Sequence, residues 1–326
     1  MPTLEPQHGC NLSVISATPD LLQGATDSSS AAVKTRAPGP RWYWRAVAVV
    51  ATITIYSVYR GFRVGAGRSV FERGAPVVPF EHALTILDIE HALWLDIEQG
   101  VQNIFLGFDW LIRFCNGYYS WSHQVFTLGL VVAVLMRARW KDAVRWIGAV
   151  LLLLPLGVIL FRLYPLMPPR LLDAGAPWGG RILQTHRGLR PTGIVDTLAV
   201  FKGPWTPDPV PVNGFTNQYA AMPSLHCAFS LWVGIVWWQW GKGKAWRFVG
   251  PLHAAFMFFC VVVTGNHFVL DAVAGWAMTV LLLSATNRFR WVRSFRSRLR
   301  DRALASVNER DEHERLDEIT PATSSS

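Results

Sequence analysis

The sequence predicts an all-α integral membrane protein: a bundle of six transmembrane helices with interfacial amphipathic helices and one long extracytoplasmic loop. Three observations carry this. Of 326 residues, 51% are hydrophobic and only 16% charged, against roughly a quarter charged in soluble domains, so polar surface is too scarce to coat a globule of this size. Six apolar runs approach the ~20 residues that a hydrocarbon core demands. Sixteen tryptophans agree, because indole rings collect where hydrocarbon meets headgroups.

Residues 1 to 40 are rich in Ser, Thr, Ala, Pro and Gly and lack apolar periodicity. They cannot bury enough surface to fold alone, and are expected to be a disordered cytoplasmic segment. They also lack the basic start and apolar core of a cleavable signal, so the first helix is expected to stay as an anchor. A catalytic membrane domain is then placed at 41–287. Its spans are expected near Trp42–Tyr59, Tyr118–Met136, Trp146–Tyr164, Ser224–Trp240, Phe248–Thr264 and Phe268–Ala285. In the first, Arg45 must snorkel to an interface. Pro155 is expected to kink the third span without ending it, and no internal repeat is read.

The connections alternate in charge. Arg137, Arg139, Lys141 and Arg145 follow the second span, Lys242, Lys244 and Arg247 the fourth, and seven arginines from Arg288 to Arg302 the sixth. The positive-inside rule makes all three cytoplasmic, with both termini inside, as in a multi-pass protein of the plasma membrane. The cytoplasmic tail at 288–326 is basic at first, then charged and Ser-rich beyond Asn308, where it is expected to be disordered. On the outer side, Leu84, Leu87, Leu95, Ile104 and Phe105 alternate with Glu81, Asp88, Glu90, Asp96 and Glu98, the pattern of amphipathic helices lying along the interface or capping the bundle. Residues 165–222 form a Pro- and Gly-rich segment too long for a turn and suited to recognition.

The net charge of +9 does not point to nucleic acid, because the basic residues sit beside apolar runs and form no groove interleaved with aromatics. Cys10, Cys115, Cys227 and Cys260 show neither paired nor metal-type spacing.

Three motifs carry chemistry, and the topology puts all of them on the outer side. His267 and Asp271 lie four apart on one helix face, so the carboxylate can fix the imidazole tautomer and leave the other nitrogen as nucleophile or base. A structural pair bracing two helices is the competing reading. Met222-Pro223-Ser224-Leu225-His226 looks like a helix start with Pro at the first position. Its free amides and the Ser224 hydroxyl suit a phosphate, and His226 can protonate a leaving oxygen; a merely interfacial His is the alternative. Arg170 offers a planar fork for phosphoryl oxygens. Arg162 is either a second anion ligand or a snorkelling residue. Tyr119, His123, Asp196, Asn213 and Gln218 are candidates for head-group recognition and equally for structure, and none is expected to be catalytic.

Taken together, Pro168-Pro169-Arg170-Leu171-Leu172, Tyr219-Ala220-Ala221-Met222-Pro223-Ser224-Leu225-His226 and Thr264-Gly265-Asn266-His267 resemble the type 2 phosphatidic acid phosphatase superfamily, over about residues 102–285. Within it they look most similar to the inositol phosphorylceramide synthase, or inositolphosphotransferase, branch. The resemblance implies Ser224 as phosphate ligand, His226 as general acid and a transient phosphohistidine at His267. It also implies the six-span layout with an extracytoplasmic site. The wider family has a Lys where this chain has Leu163, an Arg where it has Val261, and a Gly where it has Leu225; Arg162 and Arg190 are the available substitutes.

The function expected is that of a lipid-phosphate phosphatase or phosphotransferase. His226, His267 and Asp271 are catalytic, Arg170 and Ser224 bind phosphate, and no cofactor or metal is required. Its partners would be a phospholipid substrate, the membrane and a polyol or lipid acceptor. The alternatives are a zinc hydrolase using His226, His267 and Asp271, and a transporter passing protons through its intramembrane His and Asp.

Overall fold

The computed structural model describes residues 42–66, 76–175, 179–203 and 218–287. The expectations for residues 1–40, for the tail from 288, for Cys10 and for Asn213 lie outside the described residues.

Helices form where the apolar runs are. They are α1 (Trp42–Ala66), α2 (Val77–Ala92), α3 (Glu98–Phe105), α4 (Asp109–Arg137), α5 (Trp140–Leu163), α6 (Arg181–Arg187), α7 (Thr197–Val200), α8 (Leu225–Trp240), α9 (Val249–Val263) and α10 (Val269–Asn287). Among the described residues there is no strand, and extended backbone pairs only at an isolated bridge between Leu166 and Ala220. Among the described residues, four helical stretches are long and apolar enough to cross a membrane: α4, α5, Trp246–Val263 and α10. The other two expected spans are shorter as apolar helices. In α1 the apolar part is Trp42–Ile55. The 16 residues of α8 reach about 24 Å at 1.5 Å each, short of a ~30 Å hydrocarbon core. As expected, α5 runs through Pro155 without ending.

Charge placement departs from the sequence reading in two places. Arg45 does not simply reach for headgroups: its Nη1 lies 3.0, 3.1 and 3.0 Å from the carbonyls of Leu135, Met136 and Ala138. These acceptors belong to the C-terminal end of α4, which has no intrahelical donors for them, so a cation there is favoured. The acids of the outer segment are not all on a wet face either. Glu90 and Glu98 are 0% and 3% exposed, because each finds a backbone donor described below.

The largest apolar cluster is shared by α4, α5, α8 and α10, with Val131, Leu153, Phe161, Trp232 and Met278 buried in it. The Trp232 indole is satisfied by donating to the Trp146 carbonyl, 2.9 Å away. A second cluster joins α2 to the outer loops through Phe80, Leu166, Met167, Leu172, Tyr219 and Phe268. Leu225 belongs to the first cluster and Phe268 to the second, and each is the chain neighbour of one of the two motif histidines. Packing thus fixes both histidines from either side.

Candidate active site

The start of α8 differs in detail from the sequence expectation. Pro223 is not the first helical residue; Ser224 caps the helix, and its Oγ accepts the Cys227 N–H at 3.3 Å. The Ser224 N–H in turn donates to the Asp271 carbonyl at 2.9 Å. Two of the amides expected to greet an anion are therefore used inside the protein, while the buried Ser224 hydroxyl keeps its own proton to donate. These bonds tie the first turn of α8 to the first turn of α10.

The second histidine is set by the turn that ends α9. Gly265 has φ +65°, and the bonds Gly265 N–H to Val262 carbonyl and Asn266 N–H to Val261 carbonyl close the helix in the left-handed stop that glycine favours. A Cβ at Gly265 would lie 3.0 Å from Ile194 Cγ2 and 3.4 Å from Arg170 Cβ, so the outer loop sits hard against this turn. His267 emerges two residues later and is 3% exposed.

The two imidazoles meet. His267 Nε2 lies 3.4 Å from His226 Nδ1, with ring centroids 5.6 Å apart. On the other side of the ring, His267 Nδ1 is 3.4 Å from Asp271 Oδ2. That distance is within ion-pair range, but Nδ1 makes no formed hydrogen bond and Asp271 Oδ1 has no partner; catalytic hydrogen bonds are often this loose without substrate. Asp271 is fully buried and is held by the Phe268 N–H, 3.1 Å from Oδ2. A carboxylate behind one ring nitrogen, with the other nitrogen facing a second imidazole, is an arrangement able to attack a group and protonate what leaves it.

Arg170 is delivered to the same neighbourhood: its backbone N–H donates to the Gly265 carbonyl at 2.8 Å. Its side chain is 8% exposed and already engaged. Nη1 donates to both carboxylate oxygens of Asp196 at 3.0 Å, Nη2 donates to Gln218 Oε1, and Nε is buried without a partner. Asp196 and Gln218, weighed from sequence as head-group ligands, are thus partners of the arginine. Arg162 and Arg190 are exposed. The position where the wider family has a Lys is Leu163, which is 73% exposed, and the family's Arg position is Val261, which is 0% exposed within an apolar cluster with Cys227 and Met257.

Some neighbours were not legible in the sequence. Tyr119 stacks on His226 at a centroid distance of 4.0 Å, and His123 meets the same ring edge-on at 4.3 Å. Their four-residue spacing on α4 was the signal, but nothing in it named His226 as what they surround. Glu98 Oε1 accepts the Val269 N–H at 2.8 Å and Glu90 Oε1 the Leu270 N–H at 2.7 Å, so both support α10 beside the site. Burial first, and then the neighbouring Glu98, push the Glu90 carboxyl up to about 9; burial likewise raises Glu98. A signal for these two exists in the sequence: Leu-Asp-Ile-Glu occurs at 87–90 and again at 95–98, each copy ending on one of the two buried acids. Among the described residues, no group of three or more His, Cys, Asp or Glu side chains is arranged to hold a metal ion.

No curated protein and no solved structure is matched by the chain. A family model does match: residues 84–285, from α2 almost to the end of α10, fit the PAP2 superfamily. Membership points to phosphatase-type chemistry on a lipid phosphate at a membrane. With well over half of its length matched, and with its two motif histidines brought face to face, the chain belongs to the PAP2 superfamily.

Proposed function

We propose that the protein is a membrane lipid-phosphate phosphatase or phosphotransferase that works through a phosphohistidine on His267. His267 Nε2 attacks the phosphorus, the P–O bond to the lipid alcohol breaks, and His226 gives its proton to the departing oxygen. In the second half, His226 takes a proton from water or from an acceptor alcohol, that oxygen attacks phosphorus, and the P–N bond breaks. Asp271 orients His267 and steadies the imidazolium form. Arg170 and Ser224 bind the phosphoryl oxygens, whose charge grows in a transition state stabilised mainly by positioned donors.

The observation that carries this reading is the 3.4 Å approach of His267 Nε2 to His226 Nδ1, with Asp271 behind the opposite nitrogen. The unpartnered, buried Arg170 Nε supports a ligand for the guanidinium beyond Asp196 and Gln218. The two cation positions of the wider family are filled here by an exposed leucine and a core valine. A site with fewer cations favours a phosphodiester or a transferred head group over a dianionic monoester. This fits the motif resemblance to inositolphosphotransferases and an inositol-phosphate-like group passed between lipids. We place the site on the extracytoplasmic face of a six-span protein of the plasma membrane, 41–287 forming the catalytic domain, with both termini inside.

The test supplies headgroup-labelled phosphatidic acid and phosphatidylinositol to membranes carrying the wild type or His267→Ala, with and without inositol or a lipid alcohol. Phosphate released from phosphatidic acid or inositol phosphate released from phosphatidylinositol marks hydrolysis, and label in a new lipid marks transfer. The same products from both membranes would overturn the assignment.

A further inference from the structure

The first turn of α10 carries Asp271 and follows directly on His267, and its amides are not left to solvent. Three successive N–H groups each meet a different carboxylate: Phe268 meets Asp271 Oδ2 at 3.1 Å, Val269 meets Glu98 Oε1 at 2.8 Å, and Leu270 meets Glu90 Oε1 at 2.7 Å. These are the orphan donors of a helix start. The two glutamates lie 171 and 180 residues away in sequence, on the outer helices α3 and α2. Both are buried, and their carboxyls hydrogen-bond to each other, which needs a proton on one of them. A solvent-exposed serine or aspartate cap would satisfy such a helix without burying two acids.

We infer that Glu90 and Glu98 are positioning residues for the reaction: through the Leu270 and Val269 amides they clamp the first turn of α10 and hold His267 and Asp271 in register with His226. This rests on the reading of His267 as nucleophile. The groups that face the pair are Asp271 on α10, with His267 and the Tyr164 hydroxyl beyond it. All but the imidazole can only add negative charge. Two carboxylates in such a place cannot both ionise cheaply, so the pair keeps a proton at neutral pH. It gives that proton up as pH passes about 9. A second negative charge then appears beside Glu98 and Asp271, and the clamp opens.

The full-length protein in detergent micelles tests this in two arms. The first follows amide hydrogen exchange at residues 268–270, relative to a reference segment of α5, from pH 7 to 10. In the wild type, protection falls as pH passes about 9. Glu90→Ala and Glu98→Ala lower it at every pH. Glu90→Gln, which keeps an acceptor oxygen but cannot ionise, restores protection and removes the step. The second arm measures turnover at pH 7, as phosphate release from phosphatidic acid and as release or transfer of inositol phosphate from phosphatidylinositol. Here Glu90→Ala lowers kcat on the order of tenfold to a hundredfold, as a small misplacement of a nucleophile does, and Glu90→Gln recovers most of the loss. Wild-type exchange in both alanine variants overturns the inference, and so does identical behaviour of Glu90→Gln and Glu90→Ala. Undiminished turnover by His267→Ala instead overturns the reading of the site, and leaves the exchange arm to judge the clamp on its own.

Discussion

At the scale of single residues, what matters is which atom faces which. His267 presents Nε2 to His226 and Nδ1 to Asp271, so the three residues have separable roles and separable losses. Removal of the proposed acid, His226→Ala, is expected to lower kcat on the order of 10²- to 10⁴-fold. The loss should shrink for lipids whose leaving alcohol is a better leaving group, since these need less protonation; equal loss across a leaving-group series would contradict the role. Arg170→Lys keeps a charge but loses the fork that Asp196 grips with both oxygens. It is expected to weaken orthovanadate inhibition by at least tenfold while the protein stays folded, as read from inhibition curves beside a thermal melt. Spacing and motif single these residues out in the sequence. It did not disclose that Arg170 is already paired, because Asp196 and Gln218 lie 26 and 48 residues further on, and no local pattern reports such a partner.

At the scale of elements, the site depends on how closely α8 and α10 approach. A Cβ on Gly275 would stand 2.3 Å from the Ser224 carbonyl oxygen, a backbone atom that cannot swing aside, so only glycine permits this packing. Gly275→Ala is expected to cost about 1–3 kcal/mol of stability, typical of overpacking, and to lose activity beyond that by shifting the Ser224 cap. A melt and an activity assay on one preparation measure both, and an unchanged melt would contradict the packing. Apolar runs and loop charges are local signals and located the helices, but the helices outrun them: α4 begins at Asp109, well before the expected Tyr118, and α5 at Trp140, before the expected Trp146. Pro223 is the instructive miss: a proline before a polar, capping-type residue suits either the first helical position or the residue before the cap. The choice falls to Ser224, whose hydroxyl reaches Cys227. The burial of Glu90 and Glu98 is hidden from the sequence for a similar reason. Charge alone says exposed, and only the distant amides of Val269 and Leu270 make burial affordable.

At the scale of the whole molecule, α4, α5, α9 with its preceding turn, and α10 have the length and apolarity of spans among the described residues, while α1, apolar over Trp42–Ile55, and the 16-residue α8 make up the proposed six. Arg45 on α1 binds the end of α4, at the same end as the basic α4–α5 connection, so the first helix is fastened on the proposed cytoplasmic side. Single cysteines placed at Lys244 and at Arg190 should label with a membrane-impermeant maleimide from opposite faces, with Arg190 reacting in intact cells. Labelling of both from one side would contradict the layout. The most direct measurement of the central claim is a trap: the purified protein is mixed with lipid carrying a radiolabelled phosphoryl group, quenched within milliseconds in alkali, where phosphohistidine survives, and digested for peptide mapping. The expected result is label on the peptide containing His267, absent in His267→Ala and accumulated in a variant slow in the second half-reaction. Turnover that proceeds with no label on that peptide, or with label that persists in His267→Ala, would contradict it.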